Sequence, residues 1–316
     1  MSRESSARPL TAVLAVLALT LTACGTGDSG GPTTTTSATT TPGPTSTQPV
    51  ETTTTPSTTP TTTTTVPEAA GHVVYFLLEE LDSDDGSPGP FLVPVYRESA
   101  TAGEDALTAA QLLLEGPSPD EIAGTPMIST AIPEGTSLHG VTVGSGLATV
   151  DLSGEYDDGG GSFGMFARLA QVVYTLTRLP DIEEVAFDID GEPVTTFSAE
   201  GIELDGPQRR DGYYGLLPAI FVDYPAWGEP LTSPIEAKGI SNVFEAVSQI
   251  MLTDDDGLPL FEEMVMASCG TGCWGEWEVE IPYTVDRDQF GALIVWEFSA
   301  KDGSRINIRE YPVRLR

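Results

Sequence analysis

Two histidines are the first candidates for chemistry, because imidazole titrates near neutral pH and can act as a general base. His72 lies at the edge of one strand pattern and His139 lies inside another. A Ser-His-Asp arrangement would need one of them beside a serine and an acid, and we expect no nucleophile elbow to support it. We therefore interpret both as ordinary strand or surface histidines and predict no catalytic residue.

Asp188 and Asp190 could form the pair of carboxylates that a glycoside hydrolase uses, one as general acid and one as nucleophile or base. The chain contains 47 acidic residues, so pairs of this kind arise by chance. We predict that the chain is not an enzyme. A cell-wall glycan hydrolase that uses paired carboxylates is the alternative.

Two acidic segments, residues 82–86 and 254–257, resemble fragments of calcium-binding loops. A complete EF-hand loop needs an acidic residue at its twelfth position. Counting from Asp82 and Asp254 gives Val93 and Val265 at that position, so the pattern is broken. We predict Asp-Gly turns between strands, with no metal site and no cofactor.

Cys24 follows a short apolar segment at the start of the chain. Arg3 and Arg8 precede an uncharged run over residues 10–23, which is shorter than the roughly 20 residues of a bilayer-spanning helix. A basic start, an apolar core and small residues at its end indicate a secretory signal. The sequence Leu-Thr-Ala-Cys-Gly at residues 21–25 resembles the lipobox of bacterial lipoproteins.

This lipobox implies that residues 1–23 are a signal peptide and that Cys24 carries the lipid. The thiol would take a diacylglycerol, and the new amine could take a further fatty acid such as palmitate. Two or three acyl chains hold a protein on a membrane where one would not. We therefore predict a lipid-anchored protein on the extracytoplasmic face of the cell membrane.

Cys269 and Cys273 are the two remaining cysteines. Outside the cytoplasm a lone pair of cysteines usually forms a disulfide. Gly270 and Gly272 lie between them and allow the tight turn that this bond needs. A redox motif prefers two intervening residues, and zinc needs further ligands nearby. We predict a local structural disulfide.

The formal net charge of −33 argues against two classes of partner. Nucleic acid binding depends on Lys and Arg contacts to phosphate, and an acidic surface is also repelled by anionic lipid. After residue 23, only residues 301–316 are basic. We interpret them as the solvent face of a final strand, with a docking patch as the alternative; the residues are Lys301, Arg305, Arg309, Arg314 and Arg316.

Residues 24–70 are predicted to be a disordered stalk. Residues 30–67 contain mainly threonine, proline, serine and glycine, with Glu51 as their single charge and no aromatic residue. This composition cannot bury a core. As a random coil it would span roughly 35 Å, which would lift the folded part away from the membrane.

Residues 71–210 are predicted to form an α+β domain, with two helices packed on a mixed sheet. Helical spacing occurs over residues 104–115, which Gly116 and Pro117 end, and over residues 162–178. The two apolar faces would contain Ala106, Leu107, Ala110, Leu113 and Leu114, and Phe163, Phe166, Ala170, Val173 and Leu176. Strands are predicted at residues 73–78, 91–96, 138–143, 147–152 and 185–189.

Residues 216–316 are predicted to form an all-β, immunoglobulin-like sandwich. Short strands with period-two alternation recur without a helix, for example at residues 293–298 and 306–313. In one strand the apolar residues share one face and Glu278 and Glu280 take the other; the apolar residues are Trp277, Val279, Ile281, Tyr283 and Val285. We expect few core contacts across the boundary near residues 209–218, so that each region folds independently.

The sequence resembles proteins that carry a GerMN domain followed by the immunoglobulin-like domain of spore-germination-type proteins. The first domain is matched by Phe-Leu-Val-Pro-Val at 91–95, Leu-Leu-Leu-Glu-Gly-Pro at 112–117, Ile-Pro-Glu-Gly-Thr at 132–136, Ala-Thr-Val-Asp-Leu-Ser at 148–153, Gln-Val-Val-Tyr-Thr-Leu-Thr at 171–177 and Ile-Asp-Gly-Glu-Pro-Val at 189–194. The second is matched by Ser-Pro-Ile at 233–235, Asn-Val-Phe-Glu-Ala at 242–246 and Phe-Ser-Ala-Lys-Asp-Gly-Ser at 298–304.

The resemblance implies an envelope lipoprotein without known catalysis. Two small domains on a long tether are typical of binding or assembly modules. Besides the membrane that holds the anchor, the expected partner is an envelope protein or a cell-wall glycan, and not nucleic acid. A purely structural envelope protein is the other alternative.

Overall fold

The computed structural model describes residues 71–79, 89–99, 105–125, 127–197 and 201–316. The helices of the first region, residues 71–210, are α1 Ala106–Leu114, α2 Pro119–Gly124 and α3 Gly161–Leu176. Its strands are β1 Gly71–Leu78, β2 Phe91–Glu98, β3 Ile128–Ser129, β4 Leu138–Gly144, β5 Gly146–Leu152, β6 Ile182–Ile189, β7 Glu192–Pro193, β8 Thr196–Phe197 and β9 Ile202–Glu203.

The strands of the first region form two main sheets and a short ribbon. One sheet has the order β2-β1-β3 and the other the order β4-β5-β6-β7, while β8 pairs with β9. The second sheet is mixed, because β5 and β6 are parallel and are joined by α3, whereas the other pairs are antiparallel. The prediction of an α+β region is confirmed, but the prediction of a single mixed sheet is wrong.

The first helix begins and ends as its sequence dictates. The Asp105 side chain accepts a hydrogen bond from the Thr108 N–H at 2.7 Å and so caps α1. Gly116 follows the helix with φ +68°, a conformation that glycine adopts without strain. The predicted apolar face is wrong at Leu107, which is 45% exposed, and Ala109 is buried instead. Both α1 and α3 lie against β1.

The longest helix, α3, is buried on almost every side from residue 165 onwards. It lies between the sheets, where β1 and β6 both contact it. The predicted apolar face is wrong at Phe163, which is 54% exposed on the first turn. Even Arg168 is buried, because its guanidinium group donates to the backbone carbonyls of Tyr156, Asp158 and Gly159 in the preceding loop.

The second region, residues 216–316, contains two sheets whose inner faces share one core. The smaller sheet has the order β10-β12-β15 and the larger the order β11-β17-β16-β13-β14. The strands are β10 Ile220–Tyr224, β11 Pro230–Leu231, β12 Ile235–Ser241, β13 Val247–Thr253, β14 Pro259–Met266, β15 Gly275–Ile281, β16 Gln289–Phe298 and β17 Arg305–Leu315. The predicted all-β sandwich is confirmed.

Strand β15 has the alternation that the sequence predicts. Trp277 and Ile281 are buried in the sandwich core, while Glu278 and Glu280 are exposed on the outer face. The strand ends at Ile281, so Tyr283 and Val285 lie beyond it. Alternation of this kind places every second residue of the small sheet on its outer face.

The expectation that few core contacts cross the boundary is wrong. Phe221 on β10 belongs to the core of the first region, where its ring lies 6.4 Å from Tyr75 and 6.0 Å from Tyr174. Trp227 exchanges two backbone hydrogen bonds with β2. The beginning of strand β10 is therefore buried on both faces, because one face fills the sandwich core and the other is covered by the first region.

The basic end of the chain does not lie wholly in solvent. The guanidinium carbon of Arg309 lies 4.9 Å from the centre of the Phe91 ring in the first region. Arg314 forms an ion pair with Glu98 at 3.4 Å. The interpretation of this strand as a solvent face is thus wrong at Arg309, whereas Arg314 contacts the first region but remains exposed.

Candidate functional site

His72 is buried in β1 and contacts the start of α1. Its Nε2 accepts a hydrogen bond from the backbone N–H of Asp105 at 3.2 Å. His139 lies on the neighbouring sheet, where Nδ1 is 3.5 Å from Asp151 and Nε2 is 4.0 Å from Asp190. The two histidines therefore lie on different sheets and bind different partners.

The residues around His139 are a surface acidic group. Asp188 and Asp151 are neighbours in the parallel pair β5–β6, and Asp151 accepts a hydrogen bond from the Gly191 N–H at 3.0 Å. Asp190 and Gly191 both have positive φ and form the turn into β7. Within the described residues, no group of three or more His, Cys, Asp or Glu side chains could hold a metal ion.

A Gly-x-Ser-x-Gly spacing occurs twice, at residues 27–31, outside the described residues, and at residues 160–164. A nucleophile elbow places such a serine on a sharp turn between a strand and a helix. Here β5 ends at Leu152 and α3 begins at Gly161, with a 3-10 turn between them. Ser162 therefore lies on an exposed first helical turn without the geometry of an elbow.

The acidic segment at residues 254–257 forms a turn between β13 and β14. The Asp254 carboxylate accepts hydrogen bonds from the backbone N–H groups of Asp256 and Leu258, at 3.0 and 2.8 Å. Asp255 forms an ion pair with Arg287 at 2.7 Å. This segment is the predicted Asp-Gly turn, and the similar segment at residues 82–86 lies outside the described residues.

The structure places the sulfur atoms of Cys269 and Cys273 in disulfide geometry, with their Cα atoms 5.8 Å apart. The bond closes a short loop between β14 and β15, immediately before Trp274. The Trp274 ring lies 5.3 Å from the ring of Tyr214 in the first region. The loop thus holds an aromatic contact between the two regions. Cys24 and the predicted signal peptide and stalk lie outside the described residues.

A group of polar side chains joins the two regions beneath Phe221. We call it the interdomain network; its members are Tyr75, Arg178, Arg210 and Asp223. The Tyr75 hydroxyl donates a hydrogen bond to the Asp223 carboxylate. Arg210 donates to the same carboxylate at 3.0 Å, and an Arg178 nitrogen lies 3.9 Å from it.

Arg210 is fixed by the first region as well as by Asp223. Its Nε donates to the Thr177 hydroxyl at 2.7 Å and one Nη donates to the Tyr174 carbonyl at 3.0 Å. The guanidinium carbon lies 4.7 Å from the centre of the Tyr174 ring. Such a stacked and forked arrangement suits arginine and no other residue.

The electrostatics of the network keep its groups in fixed charge states. Burial by itself would raise the pKa of Asp223, but the charges of Arg210 and Arg178 outweigh it and hold this pKa below its ordinary value. Burial, with Asp223 nearby, raises the pKa of Tyr75 well above its ordinary value. At neutral pH the network therefore contains a carboxylate, two guanidinium groups and a neutral phenol.

Beside this network, a cleft of about 570 Å³ opens between the two regions. We call it the interdomain cleft. Tyr174, Arg210 and Tyr214 line it from the first region, and strands β10, β12 and β15 line it from the second; the strand residues include Phe221, Asp223, Lys238, Gly239, Ile240, Glu276 and Glu278. A volume of this size is typical of sites for small ligands.

The cleft contains charged groups that the protein itself does not engage. Among the described residues, the side chains of Lys238, Glu276 and Glu278 form no ion pair and no hydrogen bond. The Ser268 hydroxyl oxygen accepts the Glu276 N–H at 2.9 Å, which leaves its own O–H to donate. Burial, followed by the charges of Asp211 and Glu276, raises the pKa of Tyr214, so this phenol is a neutral donor.

The sequence does not predict this cleft. Its residues come from distant strands, and Lys238 and Glu278 on their own indicate only a solvated strand face. A signal was present at Asp223, the single charge within the apolar strand Ile220–Tyr224. A charge inside such a strand predicts a buried partner, although it does not identify Arg210.

Two family models match separate parts of the chain. Residues 73–195 match the family Germane, described as sporulation and spore germination. Residues 219–304 match the family Gmad2, described as the immunoglobulin-like domain of bacterial spore germination. The chain therefore contains a GerMN domain followed by this immunoglobulin-like domain, as its sequence predicts. Neither description names an enzymatic activity.

Solved structures were also compared with the chain. The first GerMN domain of the Bacillus subtilis sporulation protein GerM is 19% identical, covers 45% of this chain and 98% of its own, and has a TM-score of 0.34. The tandem GerMN domains of the same protein are 13% identical, cover 69% of this chain and 62% of their own, and have a TM-score of 0.36. A Clostridium perfringens protein provisionally described as a lipoprotein is 17% identical, covers 48% of this chain and 95% of its own, and has a TM-score of 0.30.

At these TM-scores the structural likenesses carry no argument, and the assignment rests on the matched family residues. No curated protein matches the chain significantly. Among the residues that the structure describes, no helix is long and apolar enough to cross a membrane.

Proposed function

We propose that this chain is a lipid-anchored, non-catalytic binding or assembly module of the cell envelope, of the GerMN spore-germination type. One observation carries the proposal. The interdomain network fixes the two regions against each other, and the cleft beside it is lined from both regions and contains charged groups that the protein leaves unengaged. Preformed polar groups in a cleft between domains suit recognition of a ligand.

The sequence supports display of this module outside the cell. The lipobox at residues 21–25 supplies the anchor, and residues 24–70 supply a tether of tens of ångströms. A tether raises the effective concentration of the module near envelope partners, so that weak contacts suffice. The expected partner is an envelope protein or a cell-wall glycan.

The anchor is tested by Cys24→Ser. The variant should appear in the medium or remain unprocessed, because the thiol that takes the lipid is missing. Membrane fractionation and intact mass of the processed protein provide the measurement. A variant that is still cut before residue 24 and fractionates with the membrane as before would contradict the anchor.

The binding role is tested by comparing retention with turnover on one preparation of the soluble mature chain, residues 24–316 with Cys24→Ser. We expect retention on purified peptidoglycan sacculi or on a detergent extract of the envelope, with no release of soluble fragments. Steady hydrolysis of sacculi that Asp188→Asn or Asp190→Asn abolishes would replace this proposal with the glycan hydrolase.

A further inference from the structure

The interdomain cleft is unusual in this acidic chain because it contains a lysine. Lys238 and Lys301 are the only lysines in the sequence, against 47 acidic residues. Residues 71–210 contain no lysine, and all five of their arginines bind the protein itself: Arg97, Arg168, Arg178, Arg209 and Arg210. An unengaged ammonium group in the cleft is therefore a specific feature of this site.

The strand register places the opposite charges at defined positions. Lys238 on β12 lies directly opposite Glu278 on β15, and Ile240 lies opposite Glu276. Glu276 is thus a diagonal neighbour of Lys238, at about 7 Å between side-chain origins. That separation corresponds to about two residues of extended peptide. A ligand of this length can place one charged group at each position.

Resting on the function proposed above, we propose that the interdomain cleft binds a short peptide that carries both a free amino group and a free carboxylate. The carboxylate meets Lys238, and the amino group meets Glu276 and Glu278. The peptide part of the bacterial cell wall has this chemistry, because its stem peptides carry carboxylates together with an amino group.

The remaining walls of the cleft suit the same ligand. Tyr214, held by Trp274, and Ile240 supply apolar surface, and the Tyr214 and Ser268 hydroxyls can donate to peptide carbonyls.

Other ligand classes fit the charges less well. A polycation would meet the two glutamates but would be repelled by Lys238. A neutral glycan would leave all three charges unpaired as it displaced their water, which costs free energy. An anion without an amino group would be repelled by the glutamates and by the net charge of the whole chain.

The test uses isothermal titration of the soluble mature chain with one peptide, alanyl-γ-glutamyl-diaminopimelate. We expect binding that weakens at least tenfold when the peptide amines are acetylated, and likewise when its carboxylates are amidated. Lys238→Met should abolish the effect of amidation, and Glu276→Gln should reduce the effect of acetylation. Lys301→Met and Glu310→Gln, which lie outside the cleft, are matched controls and should bind like wild type.

Three results would overturn the proposal. One is equal affinity for the free, acetylated and amidated peptides. Another is tighter binding of tetralysine that Lys238→Met strengthens, which would show capture by acidic charge alone. The third is binding of tetra-N-acetylglucosamine, without peptide binding, that no cleft variant changes.

Retention on sacculi distinguishes failure of the peptide-binding proposal from failure of the binding-module function on which it rests. If wild type and the cleft variants are retained equally but no peptide binds, the binding module stands and the assignment of the cleft is wrong. If nothing in the envelope retains the wild-type protein, both proposals are wrong.

Discussion

The outer face of the small sheet β10-β12-β15 has two different surroundings. Along β10, Phe221 and Asp223 lie under the first region, where the Asp223 carboxylate meets Arg210, Arg178 and the Tyr75 hydroxyl. Along β12 and β15, the same face opens into the interdomain cleft, and its charged side chains are unengaged. One surface of one sheet thus contains a paired part and an unpaired part.

The difference follows from the cost of removing charge from water. A carboxylate that the first region covers must be paired and hydrogen-bonded, or burial would shift its pKa until it became neutral. A carboxylate in an open cleft keeps its hydration and needs no partner. The paired part therefore fixes the orientation of the two regions, while the unpaired part stays available to a ligand.

Separation of the two regions should have the largest effect. A fragment of residues 71–210 keeps Tyr75 and Arg210 but loses Asp223 and Phe221, which leaves a guanidinium group and an aromatic surface uncovered. We expect this fragment to lose most of its cooperative unfolding transition, whereas residues 71–316 unfold in one transition. Urea unfolding followed by circular dichroism measures both.

The sequence predicts the opposite result, because it indicates that the two regions fold independently. If residues 71–210 and residues 216–316 each unfold cooperatively at the urea midpoint of the intact protein, the interdomain network contributes nothing to folding. The comparison between the two parts of the sheet would then have no energetic basis.

Asp223→Asn should have the next largest effect. The substitution keeps an oxygen that can accept from Tyr75 but leaves the two guanidinium groups without a counter-charge. We expect the free energy of unfolding to fall by about 3 kcal/mol. Glu278→Gln is the matched control from the cleft, and it should change stability by less than about 0.5 kcal/mol. Equal losses in the two variants would contradict the distinction between paired and unpaired parts.

The same variant has a signature in acid. The pKa of Asp223 is held below its ordinary value, so the unfolded chain takes up a proton at this group before the folded chain does. The resulting stabilisation is complete above the unfolded pKa of about 4 and is lost as pH falls through the lower folded pKa. As pH falls below about 4, the free energy of unfolding of Asp223→Asn should therefore decrease less than that of wild type. Between pH 5 and 8 its dependence on pH should be the same in both proteins. If the free energy of unfolding decreases equally steeply below pH 4 in both proteins, Asp223 is not paired in the folded state.

Removal of the disulfide should have an intermediate effect. Replacing both Cys269 and Cys273 by serine opens a short loop, which the loop-entropy relation values at about 2 kcal/mol. Trp274 should also become more accessible to acrylamide quenching, because the loop no longer holds it against Tyr214. The bond itself remains a prediction that non-reducing intact mass tests through the loss of two hydrogens. Two thiols that alkylate in freshly purified native protein would exclude it.

The sequence predicts those parts of the fold that depend on local pattern. The alternation of Trp277, Glu278 and Ile281 specifies both faces of β15, and the helix predicted over residues 104–115 agrees with α1 within two residues at each end. These signals succeed because their causes lie within a few residues. The short helix α2 was not predicted, although Ser118 and Glu121 form a capping box at its start.

The interface and the cleft depend on contacts between residues far apart in the chain. Tyr75 and Asp223 are hydrogen-bonded although 148 positions separate them, and neither residue alone indicates the other. Phe221 was expected in the sandwich but fills the core of the first region. A boundary that is rich in glycine and proline indicates a turn of the chain. It does not predict whether the two regions on either side of the turn pack against each other.

The smallest expected effect comes from a second ion pair across the same interface. Arg314 and Glu98 are 3.4 Å apart, but their side chains are 49% and 60% exposed. Water already satisfies both groups, so the pair gains little Coulomb energy and loses side-chain freedom. We expect Arg314→Gln to change the free energy of unfolding by less than about 0.5 kcal/mol, and less still at high salt. A double-mutant cycle with Glu98→Gln isolates the pair from other effects of each substitution. If the coupling energy is as large as the loss in Asp223→Asn, an exposed ion pair across the interface stabilises the protein as much as a buried one. Burial would then not explain the difference between the paired and unpaired charges.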